Sequence, residues 1–83
     1  MKVIIREETK LGSGTMVDVY EYNTETRDDE QLYKLIDKDE EWFNKVHIPI
    51  DEEEVWDDEA CIYGSDYVIT YYIRDVKGAE VHG

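Results

Sequence analysis

The strongest strand signal in the chain lies at residues 67–74, which read YVITYYIR. Side chains of a β-strand alternate between its two faces. Here Tyr67, Ile69, Tyr71 and Ile73 fall on one face, and the other face is also bulky. Bulk on both faces is typical of a strand that is covered on both sides. We therefore expect a central or doubly covered strand in this segment.

Two runs rich in β-branched residues near the N-terminus predict a β-hairpin. The first run covers residues 2–9 and the second covers residues 15–23. Gly12 and Gly14 lie between the runs and permit the positive φ angles of a tight turn. The two runs are therefore expected to pair as adjacent strands.

The acidic middle of the chain is predicted to be helical. The first helix is predicted to begin near Asp28, with Thr26 or Asp28 as its N-cap. Acidic residues in its first turn suit the positive end of the helix dipole, and the apolar residues that follow recur at helical spacing. A second short helix restarts at Asp37. Pro49 ends this second helix because proline lacks a backbone amide. The side chains that the second helix is expected to bury are Trp42, Phe43 and Val46.

Residues 51–63 permit two interpretations, of which we prefer a third helix. Asp51 with Glu54 three residues later fits a capping box, and Gly64 would end the helix in the left-handed conformation. The alternative makes residues 60–63 a strand that turns at once into the last strand. With the third helix, the fold class is α+β of ββααβ type. It consists of an antiparallel sheet of about three strands with two to three short acidic helices.

The length and composition predict one folded domain in the cytoplasm. Eighty-three residues are too few for a second core, so residues 1–83 form a single domain, with residues 76–83 as a frayed stub. A hydrophobic content of 41% excludes a disordered acidic tail. The single cysteine cannot form an internal disulfide, and no apolar run approaches the ~20 residues of a membrane span.

The charge of the chain is strongly negative and unevenly distributed. Acidic residues outnumber basic ones by 22 to 9, which gives a formal net charge of −13. This excess excludes sequence-independent binding to DNA, RNA or an anionic membrane. Residues 28–66 hold fifteen acids and three lysines, a net charge of −12, and residues 51–59 hold seven acids in nine positions.

The motifs of enzymes and of cofactor sites are missing from the sequence. Nucleophilic catalysis would pair Cys61 or Ser65 with His47 or His82, but the apolar neighbours of Cys61 indicate a small buried residue. One cysteine and two distant histidines do not supply the three or four ligands of zinc. We expect no enzyme activity, no metal and no cofactor.

The acidic residues have two interpretations. One is a solvated face that keeps the protein dissolved, although seven acids in nine positions exceed that need. The other is a surface that imitates the nucleic-acid backbone, because acids three and four apart on a helix are spaced much as phosphates are along DNA. The predicted contact residues are Asp37, Asp39, Glu40, Glu41, Asp51, Glu52, Glu53, Glu54, Trp56, Asp57, Asp58 and Glu59.

Trp56 also has two interpretations, because acids flank it on both sides. It is either the buried ridge of the third helix or an aromatic anchor inside a charged rim. We prefer the buried ridge because the neighbouring Val55 also needs a core.

A small α+β domain without catalytic motifs, dominated by acidic clusters such as residues 51–59, resembles the small phage-encoded anti-defence proteins. Anti-CRISPR inhibitors and other DNA mimics belong to this class, and the resemblance rests on size and on charge placement over residues 28–66. It implies a non-enzymatic inhibitor that occupies the basic surface of a Cas-type nuclease or similar DNA-binding protein. The alternative is an acidic regulatory module whose basic protein partner is unrelated to nucleic acid.

Overall fold

The structure is a computed structural model that describes residues 1–76, and it shows five strands and one helix in these residues. The elements are β1 (Lys2–Lys10), β2 (Gly14–Glu21), α1 (Asp28–Lys45), β3 (Glu52–Val55), β4 (Glu59–Tyr63) and β5 (Tyr67–Asp75). The strands form one sheet in the order β2-β1-β5-β4-β3, and every neighbouring pair is antiparallel. α1 covers one face of this sheet, which we call the helix face; the opposite face is the open face. The predicted ββααβ fold, a sheet of about three strands with two to three helices, is therefore wrong, because the order of elements in residues 1–76 is ββαβββ.

β5 is the middle strand of the sheet, as predicted from its sequence. It pairs with β1 on one side and with β4 on the other. Tyr67, Ile69 and Tyr71 are buried beneath α1, while Val68 and Tyr72 lie on the open face. β5 is therefore central, but it is not covered on both faces, because no other element of residues 1–76 lies over its open face.

The predicted N-terminal hairpin is confirmed. β1 and β2 pair from Val3 opposite Glu21 to Lys10 opposite Gly14. Gly12 and Gly14 have φ angles of 84° and 83°, in the region that favours glycine. The two glycines therefore serve the turn.

α1 is one continuous helix of 18 residues, so the predicted division at Asp37 is wrong. Leu32, Ile36 and Phe43 lie four and seven residues apart on one buried face of this helix. No glycine or proline occurs between Asp28 and Lys45, so nothing interrupts the backbone hydrogen bonds. Trp42 and Val46 fall on the flank of the helix and are 57% and 38% exposed, so their predicted burial is wrong.

The two ends of α1 are held by backbone geometry and by one buried amide side chain. The N-cap is Arg27, which forms no side-chain cap, so the predicted caps at Thr26 and Asp28 are wrong. The side-chain Nε2 of Gln31 instead donates to the carbonyls of Asn23 and Thr26.

At the C-terminal end of α1, the amide of Ile48 donates to the carbonyl of Phe43 over 2.8 Å, with His47 at a φ of 62° between them. This is a Schellman motif, and Pro49 follows it. The break predicted around Pro49 is confirmed.

Residues 51–63 form a β-hairpin, so the predicted third helix is wrong and the alternative strand is correct. Ala60 and Ile62 are fully buried and alternate with the half-buried Cys61 and Tyr63, the period of a strand. The amide of Trp56 donates to the carbonyl of Glu59 over 2.7 Å and closes the β3–β4 turn. The apolar residues of this segment have helical spacing, but its backbone pairs with β5 and therefore adopts the extended conformation of a strand.

The core lies between α1 and the helix face of the sheet. The rings of Phe43 and Tyr67 meet edge to face with centroids 5.1 Å apart, and the Tyr67 hydroxyl donates to the carbonyl of Pro49. The buried apolar residues are Ile4, Leu32, Ile36, Phe43, Ala60, Ile62, Tyr67, Ile69 and Tyr71.

Of the predicted C-terminal stub, residues 77–83 lie outside the described residues. The amide of Val76 donates to the carbonyl of Met1 and extends the pairing of β1 and β5. No helix within residues 1–76 is long and apolar enough to span a membrane.

Candidate functional site

Most of the predicted acidic residues gather around β3, at one edge of the sheet. Glu53 is opposite the buried Ile62 and therefore lies on the helix face, whereas Glu52 and Glu54 lie on the open face. Carboxylates thus flank this edge strand on both sides. We call the following set the acidic edge: Asp37, Glu40, Glu41, Asp51, Glu52, Glu53, Glu54, Asp57, Asp58 and Glu59.

On the helix face, Glu40 of α1 meets Glu53 of β3 within hydrogen-bond reach. This hydrogen bond, partial burial and the charges of Glu53 and Asp37 raise the pKa of Glu40 to about 7. Two adjacent carboxylates repel each other when both are ionised. Near neutral pH the pair therefore shares a proton.

A surface groove of about 470 Å³ opens beside this pair, between α1 and the segment that leads into β3. Asp37, Glu40 and Glu41 line its α1 side, and the half-buried Ile48 and Ile50 line the opposite side. Lysine and arginine side chains combine an apolar stem with a cationic end. The groove therefore has the chemistry to accept a basic side chain.

On the open face, the acidic edge continues onto two partly buried groups of β4. The Tyr63 hydroxyl donates to Glu52 over 2.5 Å, and this bond, with burial and the nearby carboxylates, raises the pKa of Tyr63 to about 12. Burial and the charges of Glu54 and Glu59 raise the pKa of the Cys61 thiol. A thiol kept protonated is a poor nucleophile.

The acidic edge has no basic partner among residues 1–76. Every ion pair in this part of the chain involves other acids, namely Glu8, Asp18, Asp29, Asp39 and Asp75. On α1, Lys34, Lys38 and Lys45 lie at least about 100° around the helix axis from Glu40. Each is three or four residues from Asp37 or Glu41, without forming an ion pair with either. Within residues 1–76 the acidic edge therefore forms no ion pair, although Arg74 lines a surface groove together with Asp58 and Glu59.

Asp39 is the one predicted contact residue that forms an ion pair within residues 1–76, and its side chain is only 18% exposed. It accepts hydrogen bonds from Arg6 at 2.8 and 3.0 Å and from the Tyr71 hydroxyl at 2.5 Å. Burial disfavours the charged Arg6 guanidinium, but the hydrogen bonds and charges of Asp39 and Glu8 outweigh it and raise the pKa of Arg6. Asp39 therefore ties α1 to β1 and β5, apart from the acidic edge.

Trp56 lies in the β3–β4 turn with 51% of its surface exposed, so its preferred interpretation as a buried helix ridge is wrong. It neighbours Asp57 and Asp58 at the tip of the acidic edge. Sequence reasoning missed the groove residues Ile48 and Ile50, whose role depends on the approach of β3 to α1.

Comparison of this chain with protein-family models, with curated proteins and with solved structures finds no match. In the described part of the chain, no group of three or more histidine, cysteine, aspartate or glutamate residues is arranged to hold a metal ion. The interpretation of the acidic edge therefore depends on its own geometry and charge.

Proposed function

We propose that the protein is a non-enzymatic inhibitor that uses the acidic edge to occupy a basic nucleic-acid-binding surface of another protein. The observation that carries this proposal is the set of carboxylates on both faces of β3 without a basic partner among residues 1–76. Uncompensated charge destabilises a compact protein by self-repulsion. A cationic surface of a partner would relieve that repulsion.

The spacing of the charges supports nucleic-acid mimicry. A strand advances about 3.3 Å per residue and its side chains alternate between faces, so Glu52 and Glu54 on the open face are about 6.6 Å apart along the strand, close to two phosphate steps of about 3.4 Å on one DNA strand. A groove lined with lysine and arginine would exchange its bound counterions for these carboxylates. The proposed inhibitor thus excludes DNA by occupancy.

The groove between α1 and β3 supports a partner with protruding basic side chains. An arginine of the partner would lay its stem along Ile48 and Ile50 and place its guanidinium near Glu40 and Glu53. The exposed Trp56 adds an aromatic surface beside the charges. A DNA-binding channel of a Cas-type nuclease offers such side chains, and we place the activity in the cytosol, where such targets act.

The test is a competition assay between the protein and a labelled target duplex for a guide-loaded Cas-type nuclease. Inhibition should fall steeply as salt rises, because many ion pairs form at once. The test variant neutralises four charges of the acidic edge: Glu52→Gln, Glu54→Gln, Asp57→Asn and Asp58→Asn. It should inhibit the nuclease at least tenfold more weakly than the natural protein. The control variant removes four charges elsewhere and should inhibit normally: Glu21→Gln, Glu25→Gln, Glu30→Gln and Asp66→Asn.

Equal loss in the two variants would show that total charge matters and the acidic edge does not. A complex that binds DNA at the same time, or that survives about 0.5 M salt, would contradict mimicry. Such a complex would instead favour a regulatory module that binds a basic protein surface unrelated to nucleic acid.

A further inference from the structure

The edge strand β2, at the opposite end of the sheet from β3, carries an exposed apolar surface. β2 is eight residues long, and within residues 1–76 it pairs only with β1, so one side of its backbone is unpaired. Met16, Val17 and Val19 are 57–64% exposed. Edge strands usually carry charges or prolines that discourage pairing with another chain. β2 has only Asp18, which forms an ion pair with Arg6 at 3.4 Å, and Glu21 at its end.

The apolar character of β2 extends across the neighbouring strands on the open face. Val19 is opposite Ile5 of β1, and Ile5 is opposite Tyr72 of β5. Cross-strand neighbours of this kind form one continuous row on the sheet. The row formed by Val19, Ile5 and Tyr72 is therefore apolar, whereas Val17 is opposite Glu7 of β1.

The charge distribution of the chain allows a second copy of the same protein to bind at the β2 edge. Residues 1–27, which contain β1 and β2, hold five acids and four bases, a net charge of −1. β3 lies four strand spacings from β2, about 19 Å, which exceeds the ~8 Å over which salt screens charges. A second copy of this strongly acidic chain can therefore approach at β2, away from the acidic edge.

We propose that β2 pairs antiparallel with β2 of a second copy of this chain, about a two-fold axis perpendicular to the sheet. Antiparallel pairing of one strand with itself is self-complementary, as closed dimers require. The result is a ten-stranded sheet with both helices on the same face and the two acidic edges at its outer ends. Glutamates at those ends discourage further strand addition, so assembly stops at the dimer.

Pairing restricts which side chains face each other across the two-fold axis. Residues on the same face of a continuous sheet must oppose each other, so residue 17 faces either residue 17 or residue 19 in the two registers that align the strands best. Lysines at both positions would bring like charges together in either register. Val68, 38% exposed on the same face but in the central strand β5, lies outside the proposed interface.

The experiment is sedimentation equilibrium of the full chain from about 1 μM to about 1 mM, a range that covers weak dimers. The mass should rise with concentration from 9.9 kDa to twice that value. The Val17→Lys/Val19→Lys variant should dimerise at least about tenfold more weakly, whereas Val68→Lys should dimerise normally. Added salt should strengthen the dimer, because it screens the repulsion between two acidic copies; the proposed inhibitory complex responds to salt in the opposite sense.

Three outcomes would overturn this proposal: a monomer at every concentration, growth beyond the dimer, or loss of the dimer in Val68→Lys with retention in Val17→Lys/Val19→Lys. Circular dichroism of each variant confirms that it is folded before its mass is interpreted. Hydrogen exchange provides a second measurement that does not use a variant. The amides of β2 should exchange more slowly as the concentration of the natural chain rises, and unchanged exchange of these amides would contradict strand pairing.

Discussion

Replacing Glu53 with glutamine is expected to stabilise the protein at pH 8 and to change its stability little at pH 5. At pH 8 Glu40, whose pKa is about 7, is ionised, and the charge of Glu53 repels it across the gap between α1 and β3. Glutamine removes one charge, and its amide can donate a hydrogen bond to the remaining carboxylate. At pH 5 the natural pair already shares a proton, so the substitution removes little repulsion.

The magnitude follows from the pKa of Glu40, which is about 7 in the fold against an ordinary value of 4.5. A fully buried carboxyl with this difference would change the free energy of unfolding by ~3 kcal/mol. The pair is open to solvent, which screens the repulsion, so we expect about 1 kcal/mol. For a domain of this size that corresponds to a rise of about 4–8 °C in melting temperature at pH 8.

The sign of the pH dependence is set by which state holds the proton. Between pH 4.5 and about 7 the folded protein retains a proton on Glu40 that the unfolded chain has lost. The free energy of unfolding of the natural protein therefore falls as pH rises through this window and levels off above it. This contribution should be smaller in Glu53→Gln, where only burial and the charge of Asp37 still raise the pKa of Glu40.

The assay is thermal unfolding of the natural protein and of two variants between pH 5 and pH 8. Glu54→Gln is the matched control, because Glu54 is adjacent in the same strand but lies on the open face, away from Glu40. It removes the same charge without touching the pair. If Glu53→Gln and Glu54→Gln gave the same melting curves at both pH values, the proposed contact between Glu40 and Glu53 would be refuted.

Two further substitutions test the interior and the end of α1, each by urea unfolding. Asp39→Ala should lower the free energy of unfolding by about 3 kcal/mol, because it removes the main partner of the buried Arg6 guanidinium and of the Tyr71 hydroxyl; a loss below 1 kcal/mol would place Asp39 among the solvated acids. His47→Gly should raise the free energy of unfolding by roughly 0.5–1 kcal/mol, because His47 holds a φ of 62° that glycine adopts without strain. A destabilised His47→Gly variant would show that the imidazole contributes more than the backbone conformation costs.

The features that were predicted correctly from the sequence are those fixed by short-range patterns. The hairpin needs only two β-rich runs and the glycines between them, and the first half of α1 needs only the helical spacing of Leu32 and Ile36. The continuity of α1 through Asp37 was not predicted. β5 was identified as central because bulk on both faces is visible within its own nine residues. These signals do not depend on distant parts of the chain.

The errors lie where distant segments decide the outcome. Residues 51–63 contain a capping box and apolar residues at helical spacing, which locally favour a helix. They form strands because β4 pairs with one edge of β5, and this pairing is not visible in the local sequence. The two carboxylates of a Glu40–Glu53 contact come from different elements, so no spacing rule could identify them. Asp39 was assigned to the surface because its partner Arg6 is 33 positions away in the chain.

The position of β3 at an edge raises the question of whether its glutamates serve only to prevent strand addition. Preventing the addition of another strand explains the glutamates within β3, because an incoming chain would pair with that strand. It does not account for Asp57 and Asp58 in the turn, or for Glu40 on α1, since none of them lies in the strand. Charges that repel one another without protecting the edge need another compensation, which the proposed cationic partner would supply. Neutralising Asp57 and Asp58 should therefore weaken the proposed complex and leave the solubility of the free protein unchanged, whereas a protective role alone predicts no effect on binding.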